Sequence, residues 1–194
     1  MKKAFLLSII ILFYISSFVS TFATTHTVTD GYFDTMTIDN DDTLIMTGGG
    51  GERLWGRGNS ILDIRNTSSP YVYGESGINW ITVADNSQLT FSSGSVNLLE
   101  ATDNASVVLT GGQINDINIY YYSDNPEHVI IYCQPDWTYE GQYLSGLWLD
   151  NSPFNIRLYS QGATSDVFSN VTIIPEPTTI CLFAVGAVLL KRRR

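Results

Sequence analysis

The chain has 194 residues, with 10 Lys and Arg against 19 Asp and Glu, for a formal charge of −9. Only 15% of residues are charged and 44% are hydrophobic, which excludes wholesale disorder and suits one domain. Six of the ten basic residues lie at the two ends, so residues 24–174 hold four Arg and no Lys against eighteen acidic residues. That balance repels phosphate backbones and argues against nucleic acid as a partner.

Residues 1–23 open with Lys2 and Lys3, continue through an apolar run from Ala4 to Val19, and end on the small residues Ser20, Thr21 and Ala23. That order is the layout of a secretory signal peptide. It predicts an N-terminal signal helix, recognition by Sec-type export machinery and cleavage after Ala23. An uncleaved anchor is the alternative use of the same segment; either way the middle of the chain leaves the cytoplasm.

Residues 24–174 repeat. Segment 85–96 aligns without a gap on 103–114, eighteen residues later. Leu89 falls on Val107, Phe91 on Leu109, Gly94 on Gly112, Val96 on Ile114 and Leu99 on Ile117. The same step carries Leu44 to Leu62, Met46 to Ile64, Val129 to Leu147 and Ile131 to Leu149. Apolar residues alternate inside each unit, as in Leu89-x-Phe91, the period-two signal of a strand with one buried face. Asx-rich and Gly-rich corners separate the strands. Eighteen residues are too few for a helix and two strands, but they suffice for three short strands and three turns.

These features predict an all-β chain: a parallel β-helix (solenoid) of about 18-residue coils, with about eight coils in a rod on the order of 40 Å long. An antiparallel β-sandwich is the alternative, because short strands and turn residues suit it as well. The 27-residue interval from Leu62 to Leu89 places a loop over 66–77, and a further insertion of about four residues falls near 120–127. Residues 144–174 are less repetitive and are expected to cap the open edge. Cys133 is the one cysteine of the exported part, so the core must hold the fold without an internal disulfide. It follows the apolar stretch 129–132 and reads as a small buried hydrophobe.

Chemistry-bearing patterns are sparse. His26 and His128 are the two histidines, and no zinc, serine-hydrolase or phosphate-loop spacing occurs. No catalytic residue, metal ligand or cofactor is therefore assigned. Asp39, Asp41 and Asp42 lack the Gly and terminal Glu of a calcium loop and read as a solvated turn. Asp85 and Asp103 are equivalent and are expected to stack one coil apart and cap turns; Ca²⁺ between them has no ligand set to support it. Tyr120, Tyr121, Tyr122, Trp137 and Tyr139 lie in the irregular part. Such rings stack on pyranose faces, which makes exopolysaccharide a candidate partner.

The chain closes with Pro175-Glu176-Pro177, a hydrophobic segment over 178–190, and Lys191-Arg192-Arg193-Arg194. The prolines end the last strand, and the cations favour the cytoplasmic side of a short C-terminal membrane helix. The apolar run 180–190 is well short of the roughly 20 residues of a comfortable span, which suits a tail held at the membrane while it is cut. This ending resembles the PEP-CTERM sorting tail of bacterial surface proteins. The resemblance implies that Pro175, Glu176 and Pro177 are recognised by an exosortase, a membrane transpeptidase-like enzyme, and that the basic end 191–194 is the retention signal. The 18-residue units resemble the Asp-Asn-Ser/Gly-Gly repeats of β-helical cargo of that family, and segment 144–151 resembles the strand pair that often precedes the tail. Together they imply an exported cell-surface or extracellular-matrix protein with a non-enzymatic structural or adhesive role. A small β-helical polysaccharide-active enzyme and a Ca²⁺-stabilised adhesin are the alternatives.

Overall fold

The computed structural model describes residues 23–68, 70–74, 76–119, 129–160 and 167–175. In chain order the strands are β1 (Thr25–Val28), β2 (Tyr32–Ile38), β3 (Thr43–Met46), β4 (Gly50–Gly56), β5 (Ile61–Ile64), β6 (Ile78–Val83), β7 (Gln88–Phe91) and β8 (Ser95–Ala101). They continue with β9 (Ser106–Leu109), β10 (Gln113–Ile119), β11 (Val129–Cys133), β12 (Thr138–Glu140), β13 (Tyr143–Leu147), β14 (Pro153–Tyr159) and β15 (Val171–Pro175). Up to β11, successive strands alternate between two sheets. One sheet runs β1-β3-β5-β7-β9-β11-β15, and the other β12-β13-β14-β10-β8-β6-β4-β2.

Pairing is parallel throughout the first sheet and from β2 to β14 in the second, so the antiparallel sandwich does not hold. Only β12, β13 and β14 pair antiparallel. The register is the one the repeat predicts: Leu44 sits beside Leu62, Leu89 beside Val107, and Leu99 beside Ile117, all eighteen apart. Leu62 pairs with Leu89 across the 27-residue interval, and the extra chain leaves at the corner between β5 and β6. Val107 pairs with Val129 at an offset of 22, which puts four extra residues between β10 and β11.

Alternation explains the core. In β7, Leu89 and Phe91 are buried while Gln88 and Thr90 are exposed. Leu44, Leu62, Leu89, Val107 and Val129 form one buried column, and Leu54, Ile81, Leu99, Ile117 and Leu158 another. The long strands β6, β8 and β10 change spacing once: Ile78 and Ile81, Val96 and Leu99, and Ile114 and Ile117 are buried pairs three apart. Both residues between them face outward, and the ladder skips Asn97 and Asn115. This bend merges two of the three expected strands, so each coil has two strands, one of four or five residues and one of six or seven.

The C-terminal step differs from the sequence reading. Val129 pairs with Val171 and Ile131 with Ile173, not with Leu147 and Leu149. Leu147 instead pairs with Pro153 in an antiparallel hairpin. The chain after Cys133 goes to β12 and β13, which cover the edge of β14; of residues 144–174, expected to cap the edge, only the β13 part does so, while β14 and β15 join the parallel stack. That hairpin and the two insertions use up the residues of an eighth coil. Seven strands stack in the first sheet, a length of about 29 Å at the ~4.8 Å strand spacing. The signal helix and the terminal membrane helix lie outside the described residues; among the described residues no helix is long and apolar enough to cross a membrane.

Corners repeat with the coils. Asn40, Gly58, Asp85 and Asp103 all have φ between 57 and 67°, the left-handed region that Asn, Asp and Gly tolerate. Gly94 (φ 101°) has a second constraint: a Cβ there would lie 2.2 Å from Thr67 Oγ1 and 2.3 Å from Thr67 N. Gly94→Ala is expected to destabilise the fold by more than about 1 kcal/mol, and Leu99→Ala by about 2–5 kcal/mol, in urea unfolding. Ile61→Thr, on an exposed position, is expected to stay within about 0.5 kcal/mol.

Candidate binding face

The bend turns two residues per coil outward from the long-strand sheet, and the parallel register lines them up. Along the bend run Glu52, Asn79, Asn97 and Asn115. Asn115 Nδ2 donates to Asn97 Oδ1 (3.1 Å), Asn97 Nδ2 to Asn79 Oδ1 (3.0 Å), and Asn79 Nδ2 to Glu52 Oε1 (2.6 Å). At another corner Asn104, Asn86 and Asn59 form a similar row that ends on Asp41 Oδ1 (3.3, 3.4 and 3.0 Å). In both rows each amide donates the same way and a carboxylate, which only accepts, ends the chain.

Beside the first row, register aligns Arg53, Trp80, Leu98, Asp116 and Arg157, and then Trp55, Thr82, Glu100, Asn118 and Tyr159. Glu100 is 5% exposed although it lies on the outer face. Its Oε2 accepts from Trp80 Nε1 (2.8 Å) and Thr82 Oγ1 (3.3 Å), and its Oε1 from Asn118 Nδ2 (2.9 Å). These donors replace the water that a buried carboxylate loses. Asp116 holds Arg157 through two hydrogen bonds (2.8 and 2.6 Å), which push the guanidinium pKa upward. Three guanidinium groups lie over rings of this face: Arg53 over Trp80 (5.1 Å), Arg57 over Trp55 (4.7 Å) and Arg157 over Tyr159 (5.1 Å). At the near corner Tyr32 and Tyr71 gather around Glu52, and burial, then the Glu52 charge, push both phenols upward.

The residues singled out in the sequence are dispersed. Ala23 is exposed just before β1, and Pro175 ends β15 opposite Cys133. Glu176, Pro177, Lys191, Arg192, Arg193, Arg194, His128 and residues 120–122 lie outside the described residues. His26 is 3.5 Å from Asp42, whose carboxyl is held below its usual range chiefly by the Thr24 N–H at 2.6 Å. Asp39 accepts the N–H of Asp42 in the same turn. Asp85 Oδ2 accepts the Gly58 N–H (2.9 Å), and Asp103 Oδ2 the Asp85 N–H (3.4 Å), so each carboxylate caps the corner of the preceding coil. Trp137 and Tyr139 turn inward against Phe168 (5.8 and 4.5 Å) instead of forming a platform. Cys133 is buried, which pushes its thiol upward. Among the described residues no three His, Cys, Asp or Glu side chains converge to hold a metal.

A polar cleft of about 290 Å³ lies elsewhere, with Asn66, Ser92, Gln113 and Asp150 in its walls. Ser152 donates its hydroxyl (2.5 Å) and its N–H (2.9 Å) to Asp150 and lowers the pKa of that carboxyl.

Sequence reasoning missed Trp55, Trp80, Arg53 and Glu100. The signal was present in the repeat: steps of 27 and 18 carry Arg53 to Trp80 and Leu98, and Trp55 to Thr82 and Glu100. Following the outward positions as well as the apolar ones assembles the face. No family model, curated protein or solved structure matches this chain.

Glu100→Ala removes the acceptor of the Trp80 indole N–H. It is expected to lower unfolding free energy by about 1–3 kcal/mol and to shift tryptophan emission. Asp116→Asn, at a half-exposed ion pair, is expected to lower it by less than about 1 kcal/mol in the same titration.

Proposed function

We propose that this chain is an exported bacterial cell-surface or extracellular-matrix protein, sorted through its tail by an exosortase-type system. Its exported part is a parallel β-helix that serves as a non-enzymatic scaffold. One observation carries the reading: β1 begins at Thr25, just past Ala23, and β15 ends on Pro175, the first residue of the Pro-Glu-Pro motif. The stacked sheets fill the interval between the two address segments, so trimming at either end spares every strand but the last residue of β15.

The 18-residue parallel register, with two strands per coil and matching corners, supports the β-helix. Side chains of the outer face bind one another, as in the two amide rows and around Glu100, which suits a rigid surface. In this reading Sec-type machinery exports the chain, and the membrane holds segment 178–190 during sorting. Exosortase recognises Pro175, Glu176 and Pro177 while Lys191, Arg192, Arg193 and Arg194 stay on the cytoplasmic side. No step needs a cofactor.

Intact mass and cell fractionation test this together. The expected product begins at Thr24, lacks the tail and is found at the envelope or in the matrix. Deleting 175–194 is expected to release the protein from that location. An unchanged location after the deletion overturns the sorting role.

A further inference from the structure

We propose that Arg53 and Arg57, seated on Trp80 and Trp55, form a binding site for a carboxylated polysaccharide on the outer face of β4 and β6. The inference rests on the reading of the chain as an exported surface or matrix protein, and it names the partner of that surface.

Charge pairing singles out these two residues. Residues 24–174 contain four arginines among eighteen carboxylates. Arg65 pairs with Asp63 at 2.7 Å and Arg157 with Asp116 at 2.6 Å. Arg53 and Arg57 are exposed, and among the described residues neither is in an ion pair. Glu52, next in sequence to Arg53, is committed instead to Asn79 and Tyr32. Among the described residues two cations thus stay open beside a large excess of acid, and both lie on the same face.

Their setting is built. A guanidinium held about 5 Å over an indole gains a cation–π attraction without using its N–H donors on an acceptor, and its planar fork then matches a carboxylate. Trp80 is fixed in turn by the hydrogen bond from its Nε1 to the buried Glu100, which makes Glu100 a positioning residue for Arg53. Thr35 and Thr37 on β2 are exposed and are the register partners of Arg53 and Trp55. They add hydroxyls beside the cations, and the indoles add apolar surface for a pyranose ring.

The groups around the cations favour a sugar polymer. A nucleic acid brings a denser row of charge to an acidic chain and is repelled more strongly than a polymer with one carboxylate per ring. A uronate polymer carries one carboxylate per ring between apolar ring faces, which suits two cations among aromatic and hydroxyl groups. Each exposed contact is weak, so a chain that engages both cations and rebinds along its length gains most.

The test uses protein purified from cells expressing the full chain, titrated with polygalacturonate, dextran and single-stranded DNA at low salt. Polygalacturonate is expected to bind, with dextran and DNA at least tenfold weaker. The Arg53→Gln/Arg57→Gln double variant is expected to bind polygalacturonate at least tenfold more weakly, while Arg65→Gln, a charge change outside the site, stays within twofold. If the double Gln variant melts early, Arg53→Lys/Arg57→Lys replaces it; losing the fork at constant charge is expected to weaken binding at least threefold. Undiminished binding by the double variant, equal loss in Arg65→Gln, equal binding of dextran, or tighter binding of DNA overturns the site. Protein that binds polygalacturonate yet keeps its location without residues 175–194 removes the sorting role and leaves this site standing. Correct sorting without binding does the reverse.

Discussion

Parallel hydrogen bonding between equivalent residues of successive coils is the constraint on which the rest depends. A parallel ladder keeps inward residues inward only while each coil returns in register; a one-residue slip would turn Leu89 and Phe91 to solvent and Gln88 and Thr90 to the core. Extra chain can enter only where no ladder runs. The longer steps from Leu62 to Leu89 and from Val107 to Val129 therefore leave both pairings intact and place their surplus at corners. The corners need residues that accept positive φ, and Asn40, Gly58, Asp85 and Asp103 supply them at equivalent points.

The same register organises the surface. Because equivalent side chains stand one strand spacing apart, amides can hydrogen-bond along the stack, and Glu52 and Asp41 end two such rows. Glu100 shows how far the outer face has been closed: a carboxylate with three donors, held under Trp80 at the surface of a sheet. A face of this kind is rigid before any ligand arrives, which lowers the ordering cost of binding. Among the described residues no carboxylate pairs with its Arg53 or Arg57.

The C-terminal end follows a different rule. A stack of parallel strands ends on an open edge, and β13 closes the edge of β14 by running antiparallel to it. Trp148, fully buried, anchors that end by donating its indole N–H to Gly112 O at 2.8 Å. Beyond it β14 and β15 return to their two sheets, and the last strand reaches the proline that opens the tail.

The sequence by itself determined the repeat, the inward columns and the sites of both insertions, because apolar alternation and corner residues are local properties written once per coil. It misjudged the third strand of each coil, since the change of spacing between Val96 and Leu99 reads equally as a turn or as a bend within one strand. It also carried the repeat from Val129 to Leu147, where apolar residues recur at the right distance but belong to a hairpin. Only the tertiary structure decided that Val171 is the neighbour of Val129, and that Trp80, Glu100, Arg53 and Arg57 share one face. Those relations join residues from different coils, and their energy comes from neighbours that exist only once the coils have stacked.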